Sequence, residues 1–326
     1  MSYQAEGKIL DDEYNAFVSN SSSPFGYNHF AGTGSGQYGL GQTHITTVGA
    51  GEKVLASQWN TLFTGVGNIA NHTNDSLTAS SSQQASAGDT IAIRSALVTD
   101  LATLAASVAG GCTSAADGLT TSSALQTANS SSTWTGSHIS ELAATFANAD
   151  KMRHFFNGGG KIRIDTARTG NGNTGGSAND KDNSWTSIHS AVGNIDIGSL
   201  TSTRSGSGET LTTDGLALGF HDLTTSYQTI IKITESSSPY TSNYLEVEAK
   251  LDAAVGSAVT ITVKISAVDG AADTTYTSGN TSGVDATPDR NGQHRHRLFS
   301  IDVNTADGLA TGHAPASTAT TSNNTT

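Results

Sequence analysis

Val259-Thr260-Ile261-Thr262-Val263-Lys264-Ile265-Ser266 alternates apolar and polar side chains without a break. Successive side chains of a strand point to opposite faces, so this stretch buries its valines and isoleucines and wets its threonines and Lys264. The same reading applies to Gln228-Thr229-Ile230-Ile231-Lys232-Ile233-Thr234-Glu235, to Tyr244-Leu245-Glu246-Val247-Glu248-Ala249-Lys250-Leu251 and to Arg297-Leu298-Phe299-Ser300-Ile301-Asp302-Val303. Polar turns separate these runs. Several such strands in succession imply an antiparallel sandwich or jelly-roll-like sheet with one wet face. Threonine and charge on that face discourage edge-to-edge association. From Ile195 onward the chain reads as β throughout. After Gly312 it is almost entirely Ala, Ser, Thr and Asn, which predicts a flexible tail over 314–326.

Working back toward the N-terminus, Met152-Arg153-His154-Phe155-Phe156, the turn Asn157-Gly158-Gly159-Gly160 and Lys161-Ile162-Arg163-Ile164-Asp165 read as a β-hairpin. Thr166 to Asn183 reads as a Gly/Asn-rich loop, followed by a short helix with Trp185, Ile188 and Val192 on one side. The strongest helical stripe runs from Asp89 to Val108, through Leu97, Leu101 and Leu104. It is narrow and Ala-rich, so its partner must approach closely. That partner is either a second subunit or another part of the same chain. A further helix is predicted over Ser137 to Asn148, with Ile139, Leu142, Ala143 and Phe146 on one face.

The first 80 residues contain an imperfect repeat. Gly7-Lys8-Ile9-Leu10-Asp11-Asp12-Glu13-Tyr14-Asn15-Ala16-Phe17 reads like Gly51-Glu52-Lys53-Val54-Leu55-Ala56-Ser57-Gln58-Trp59-Asn60-Thr61-Leu62-Phe63. Each copy predicts an extended lead-in, a cap at Asp11 or Asp12 and at Ser57, and a helix whose aromatic packs back on the apolar pair. Between the copies, Gly34, Gly36 and Gly39 spell G-x-G-x-x-G, and the letters recur at Gly170, Gly172 and Gly175. A dinucleotide site needs a strand before these glycines and a helix opening on them. Here the lead-in is not a buried strand, and Thr43 to Val48 after the first motif reads as a strand. A glycine loop lying close to another backbone fits better.

Tyr14-Asn15, the loop Tyr38-Gly39-Leu40-Gly41-Gln42 and Val54-Leu55-Ala56-Ser57-Gln58-Trp59-Asn60 together resemble the N-terminal region of virion structural proteins of tailed bacteriophages, with cyanophage tail and tail-fibre-like proteins nearest in pattern. The resemblance covers roughly the first 75 residues. The chain departs from it at His72-Thr73, where the pattern has His-Gln. It implies a structural virion role: a tail component of the baseplate, neck or fibre-like appendage. It carries over no catalytic residues.

Composition narrows the other possibilities. With 16 Lys+Arg against 28 Asp+Glu the net charge is -12, so no positive field exists to hold nucleic acid. No apolar run approaches the about 20 residues a membrane helix needs. Cys112 is the single cysteine, which excludes an intramolecular disulfide or a cysteine-built zinc cluster. The first residues lack the basic and apolar regions of a signal peptide, so synthesis in a host cytoplasm is expected. Of the ten histidines only His294 and His296 have suggestive spacing. Two apart on a strand they share a face and could ligate a metal at a trimer axis; otherwise they are a solvent-facing pair. Asn179-Asp180-Lys181-Asp182-Asn183 lacks the glycine and glutamate of a calcium loop. No G-x-S-x-G elbow occurs.

The expectation is therefore an α+β multidomain chain: an N-terminal helix-containing docking region over 1–80, a helical region over 81–150, a β-rich domain over 151–313 and the tail. Its expected role is assembly rather than catalysis, without a cofactor, as a homotrimer or higher symmetric oligomer among other virion proteins. Tyr14, Asn15, Trp59, Asn60, Leu97, Leu101 and Leu104 are the expected anchor and interface residues. A host-surface or carbohydrate-binding module is the alternative.

Overall fold

The computed structural model describes residues 10–22, 25–32, 37–78, 85–86, 94–112, 119–130, 134, 136–169, 180–271, 275–278, 281–284, 292–303, 314–317 and 322–325. The fold is α+β, with two antiparallel sheets and a few helices. The chain forms two compact units, neither contiguous in sequence. The first takes Met1–Thr120, Asp150–Gly160 and Asp302–Ala314; the second takes Thr121–Ala149, Lys161–Ile301 and Pro315–Thr326.

The first unit is helical. Helices α1 (Asp11–Ser19), α2 (Tyr27–Ala31), α3 (Ala56–Thr73), α4 (Arg94–Ala109) and α5 (Ala149–Asn157) carry most of its described residues. Its core combines Tyr14, Phe17, Phe30, Trp59, Leu62 and Ile69 with the α4 stripe of Leu97, Leu101, Leu104 and Val108. The partner that the stripe requires is thus within the chain: α4 packs on α3 and α2. The start proposed for this helix at Asp89 lies outside the described residues.

α5 corrects the sequence reading, which made Met152 to Phe156 a hairpin strand. Met152, Phe155 and Phe156 recur at helical spacing and all three are buried. The glycine run that looked like a hairpin turn is a helix C-terminus. Gly158 N–H donates to His154 O, Gly159 N–H to Phe156 O and Gly160 N–H to Phe155 O, and Gly159 sits at φ 92.

The second unit holds both sheets. Strands β1 (Thr120–Thr121), β2 (Gln126–Asn129), β3 (Ser137–Thr145), β4 (Lys161–Thr169), β5 (Asn194–Ile197), β6 (Ser202–Arg204), β7 (Thr210–Asp214), β8 (Gln228–Thr234), β9 (Tyr244–Leu251), β10 (Thr260–Val268), β11 (Thr275–Ser278), β12 (Thr281–Val284), β13 (Gln293–Asp302), β14 (Ala316–Ser317) and β15 (Ser322–Thr325) follow in chain order, with helix α6 (Asp180–Val192) between β4 and β5. One sheet runs β1-β13-β4-β5-β6 with β2 also on β13; the other runs β14-β3-β10-β9-β8-β7 with β15 also on β3. β11 and β12 form a separate pair. The alternating runs behave as their pattern requires. Ile261, Val263 and Ile265 of β10 lie opposite Leu251, Ala249 and Val247 of β9, all buried. On the other face Lys264 stands between Glu248 and Glu141, and Lys232 faces Glu246. Opposite charges across neighbouring strands stabilise the pairing.

Four further readings change. Ser137 to Thr145 is the strand β3, not a helix, and β1 and β2 also fall within 81–150. The inward set is His138, Ser140, Leu142 and Ala144; its polar members hid the period of two. Thr166 to Thr169 belong to β4 and Asp180 to Asn183 to α6, so both ends of the proposed Thr166 to Asn183 loop are regular structure; residues 170–179 lie outside the described residues. Thr43 to Val48 is not a strand. Within the proposed tail, Ala316–Ser317 and Ser322–Thr325 pair with β3.

Candidate functional site

The two copies of the N-terminal repeat start their helices identically. Leu10 and Leu55, rather than the aspartates or Ser57, occupy the position before the helix, with extended backbone. The third helical residue reaches back: Leu10 N–H donates to Glu13 Oε2 at 3.4 Å, and Leu55 N–H to Gln58 Oε1 at 2.8 Å. This is the backward half of a capping box, the half that leucine leaves available. The leucine side chains are 56% and 57% exposed, so the aromatics do not staple onto them. Instead the rings of the two copies meet. Tyr14 and Trp59 have centroids 6.5 Å apart, Phe17 lies edge-on to Trp59 at 6.1 Å, and Tyr14 Oη donates to Gln58 O at 3.4 Å.

The asparagine after each aromatic has its own task. Asn15 Nδ2 donates to Val48 O at 2.9 Å, while Asn15 Oδ1 accepts from Val48 N–H at 2.8 Å. Asn60 does the same to Ala85, at 2.9 and 2.7 Å. A third pair, Tyr27-Asn28, was not singled out in the sequence. Asn28 Nδ2 donates to Ile45 O and Asn28 Oδ1 accepts from Ile45 N–H, at 2.8 Å each. Tyr27 Oη donates toward Thr43 O at 3.0 Å and lies 3.1 Å from Gln42 Oε1. A side-chain amide presents the same donor and acceptor as a peptide, so each asparagine substitutes for one residue of a neighbouring strand. Helices α1 and α2 thereby satisfy backbone groups of Thr43, Ile45 and Val48, which belong to no sheet.

The flanks of the glycine loop are held in a related manner. Arg153 donates to Tyr38 O at 2.8 Å and Gly32 O at 3.1 Å, and Asn157 donates to Tyr38 O at 2.7 Å. Gly34 and Gly36 lie outside the described residues. An open groove of about 330 Å³ runs beside α3, lined by Tyr27, His44, Asn60, Thr64 and Asn68 among others.

In the second unit the sequence pair His294 and His296 is neither solvent-facing nor placed for an axis between subunits. Both rings are fully buried within one chain. β3 brings His138 and α6 brings His189 to the same place. His189 Nε2 lies 3.4 Å from His294 Nδ1, and Ser140 Oγ bridges His138 Nε2 at 3.2 Å and His296 Nδ1 at 3.0 Å. Trp134 and Trp185 pack edge-on against His294, at 5.0 and 4.8 Å. Burial drives every one of these imidazoles toward the neutral form: His138 is pushed down to about 4 and His189 to about 3, with His294 and His296 also well below the ordinary range. Among the described residues no group of three or more His, Cys, Asp or Glu is arranged to hold a metal ion.

Tyr14, Trp59, Leu97, Leu101 and Leu104 are all buried in the first unit, where Asn15 and Asn60 act as clamps. The expected anchors therefore come together, on contacts inside the chain. No family model, curated protein or solved structure matches the chain.

Proposed function

We propose that the chain is a structural subunit of a bacteriophage tail, part of a baseplate, neck or fibre-like appendage, which acts by docking to other virion proteins. One observation carries this reading. The residues on which the resemblance to tail proteins rests, Tyr14-Asn15, Tyr38 to Gln42 and Val54 to Asn60, are the ones that organise the first unit. Their aromatics fill its core, and their asparagines and backbone carbonyls fix its extended segments. A motif of that kind specifies a scaffold. In the second unit, the two sheets and their shared buried side chains support a sandwich-like body.

A carbohydrate-binding module would offer bare aromatic faces for sugar stacking. The outward tyrosines of the β8–β9 sheet are engaged: Lys232 Nζ sits 3.6 Å over Tyr244, and Lys250 and Lys264 lie 4.3 and 4.4 Å from Tyr227. The structural reading is thereby favoured. Cryo-EM of intact particles carrying this chain tests it. A fixed number of copies at a symmetric position on the tail is expected; absence from purified particles would overturn the reading.

A further inference from the structure

Four imidazoles share one buried space in the second unit. His138 and Ser140 come from β3, His294 and His296 from β13, His189 from α6 and Thr166 from β4. Ring centroids lie 4.8 Å apart for His189 and His294, 5.0 Å for His138 and His296, and 6.2 to 6.4 Å for the other measured pairs. Trp134 and Trp185 close the space on the His294 side. All four rings are at least nine-tenths buried. Among the described residues, His138 Nδ1 and His296 Nε2 meet no hydrogen-bonding partner.

Among the described residues, the charges that shift the four rings come from basic side chains and from no carboxylate. Arg168 on β4 bears on His189 and His294 and opposes a second cation. Lys181 on α6 is another ammonium, paired at 2.8 Å with Asp269 just after β10. The remaining charged residues of the packed strands are Glu141, Lys161, Arg163, Asp165, Arg295 and Arg297, which alternate with the inward positions, and Asp302, which ends β13 six residues beyond His296. Among them Arg163 pairs with Asp196 and Arg297 with Asp165. Two neighbouring imidazolium ions in such a place would each pay desolvation and repel one another.

We propose that this quartet is an acid-operated release: it holds β3, β13 and α6 together while neutral, and mild acidification opens the second unit at this point. The sign follows from linkage. A buried imidazole that stays neutral in the folded state gains a proton only on unfolding, so its contribution is complete above about pH 6.5 and falls as the pH drops through that value. Carboxylates, with ordinary values near 4, leave the window between pH 6.5 and 5 to histidine. Each quartet member raises the unfolding constant by up to tenfold per pH unit there.

The test is urea unfolding of the full chain in a Trp59→Phe background, so that fluorescence reports Trp134 and Trp185. Between pH 6 and 5 the unfolding constant should rise at least a hundredfold per pH unit, the uptake of two or more protons. A smaller rise overturns the proposal. In His138→Gln/His296→Gln, where amides can still meet Ser140, the rise should shrink by more than tenfold per pH unit, whereas the exposed-residue control His44→Gln should leave it unchanged. An undiminished rise in the double variant overturns the assignment to the quartet. If that variant does not fold, proton NMR of the parent decides: four imidazoles silent to titration down to pH 5 in the folded state support the proposal, and their titration near 6.5 overturns it.

Discussion

Asn15 and Asn60 perform the same act on different stretches of backbone: each closes a two-point hydrogen-bonded ring on one residue, Val48 for the first and Ala85 for the second. Their preceding aromatics, Tyr14 and Trp59, are buried against each other, so one dipeptide delivers both a core ring and a strand substitute. Removing an amide leaves a backbone N–H and C=O without partners at a partly buried site, which costs about 1–3 kcal/mol. Asn15→Ala and Asn60→Ala should each lower first-unit stability by that amount in urea unfolding. Asn15→Asp should be no milder than alanine, because its carboxylate cannot donate to Val48 O. An innocuous Asn15→Asp would show that the site needs volume and not the donor.

Two glycines on α3 should respond to the same substitution with opposite signs. A Cβ on Gly65 would lie 2.5 Å from the Tyr27 ring, whose hydroxyl is tied to Thr43 O, so the ring cannot simply move away. Gly65→Ala should destabilise by about 1–3 kcal/mol through overpacking. A Cβ on Gly67 meets nothing within 4 Å. Gly67→Ala should stabilise by about 0.5–1 kcal/mol, the helix-propensity difference. Thermal unfolding of the two variants side by side checks both.

Cys112 offers a chemical report on the first unit. Its thiol is buried, donates to Asn157 O at 3.0 Å, and is pushed up to about 12 by burial and then by Asp75. Only the thiolate reacts with alkylating reagents or disulfides, and at pH 8 roughly one in ten thousand such thiols is ionised. Modification by an aromatic disulfide reagent should therefore wait for unfolding and follow its rate. Rapid stoichiometric labelling of the native chain would show the thiol to be accessible.

What was legible in the sequence follows from where each pattern's information lies. β9 and β10 were readable because their inward sides are largely apolar and their outward sides polar. β3 was not, because its inward set includes His138 and Ser140, and the apolar residues left over happen to fall at helical spacing. α5 was misread because Gly158 to Gly160 suits a hairpin as well as a helix end. The N-terminal repeat was visible, but the use of its asparagines was not, since Val48 and Ala85 are distant in sequence and brought near only by the fold. The pair Tyr27-Asn28 could have been found by searching for the aromatic-Asn dipeptide. Of the buried quartet, the His-x-His spacing disclosed His294 and His296; His138 and His189 lie on other elements and carry no local signal. Residues 170–179, and residues 313, 318–321 and 326 of the segment after Gly312, lie outside the described residues.

The ion pair of Lys181 and Asp269 supplies the last prediction. Both side chains are almost fully buried, 1% and 4% exposed, with Nζ and Oδ2 2.8 Å apart. Lys181 opens α6, and Asp269 follows β10 and donates its own N–H to Gly136 O, so the pair joins the start of the helix to the end of the strand. Breaking a buried pair from one side leaves a charge in a dry site and typically costs about 3–5 kcal/mol, whereas replacing both partners with apolar residues of similar volume is often neutral or better. Lys181→Met alone should therefore lower second-unit stability by several kcal/mol, and Lys181→Met/Asp269→Leu should recover most of the loss. A double variant as unstable as the single would show that Asp269 contributes chiefly through its other contacts, and that the start of α6 is held by something other than this pair.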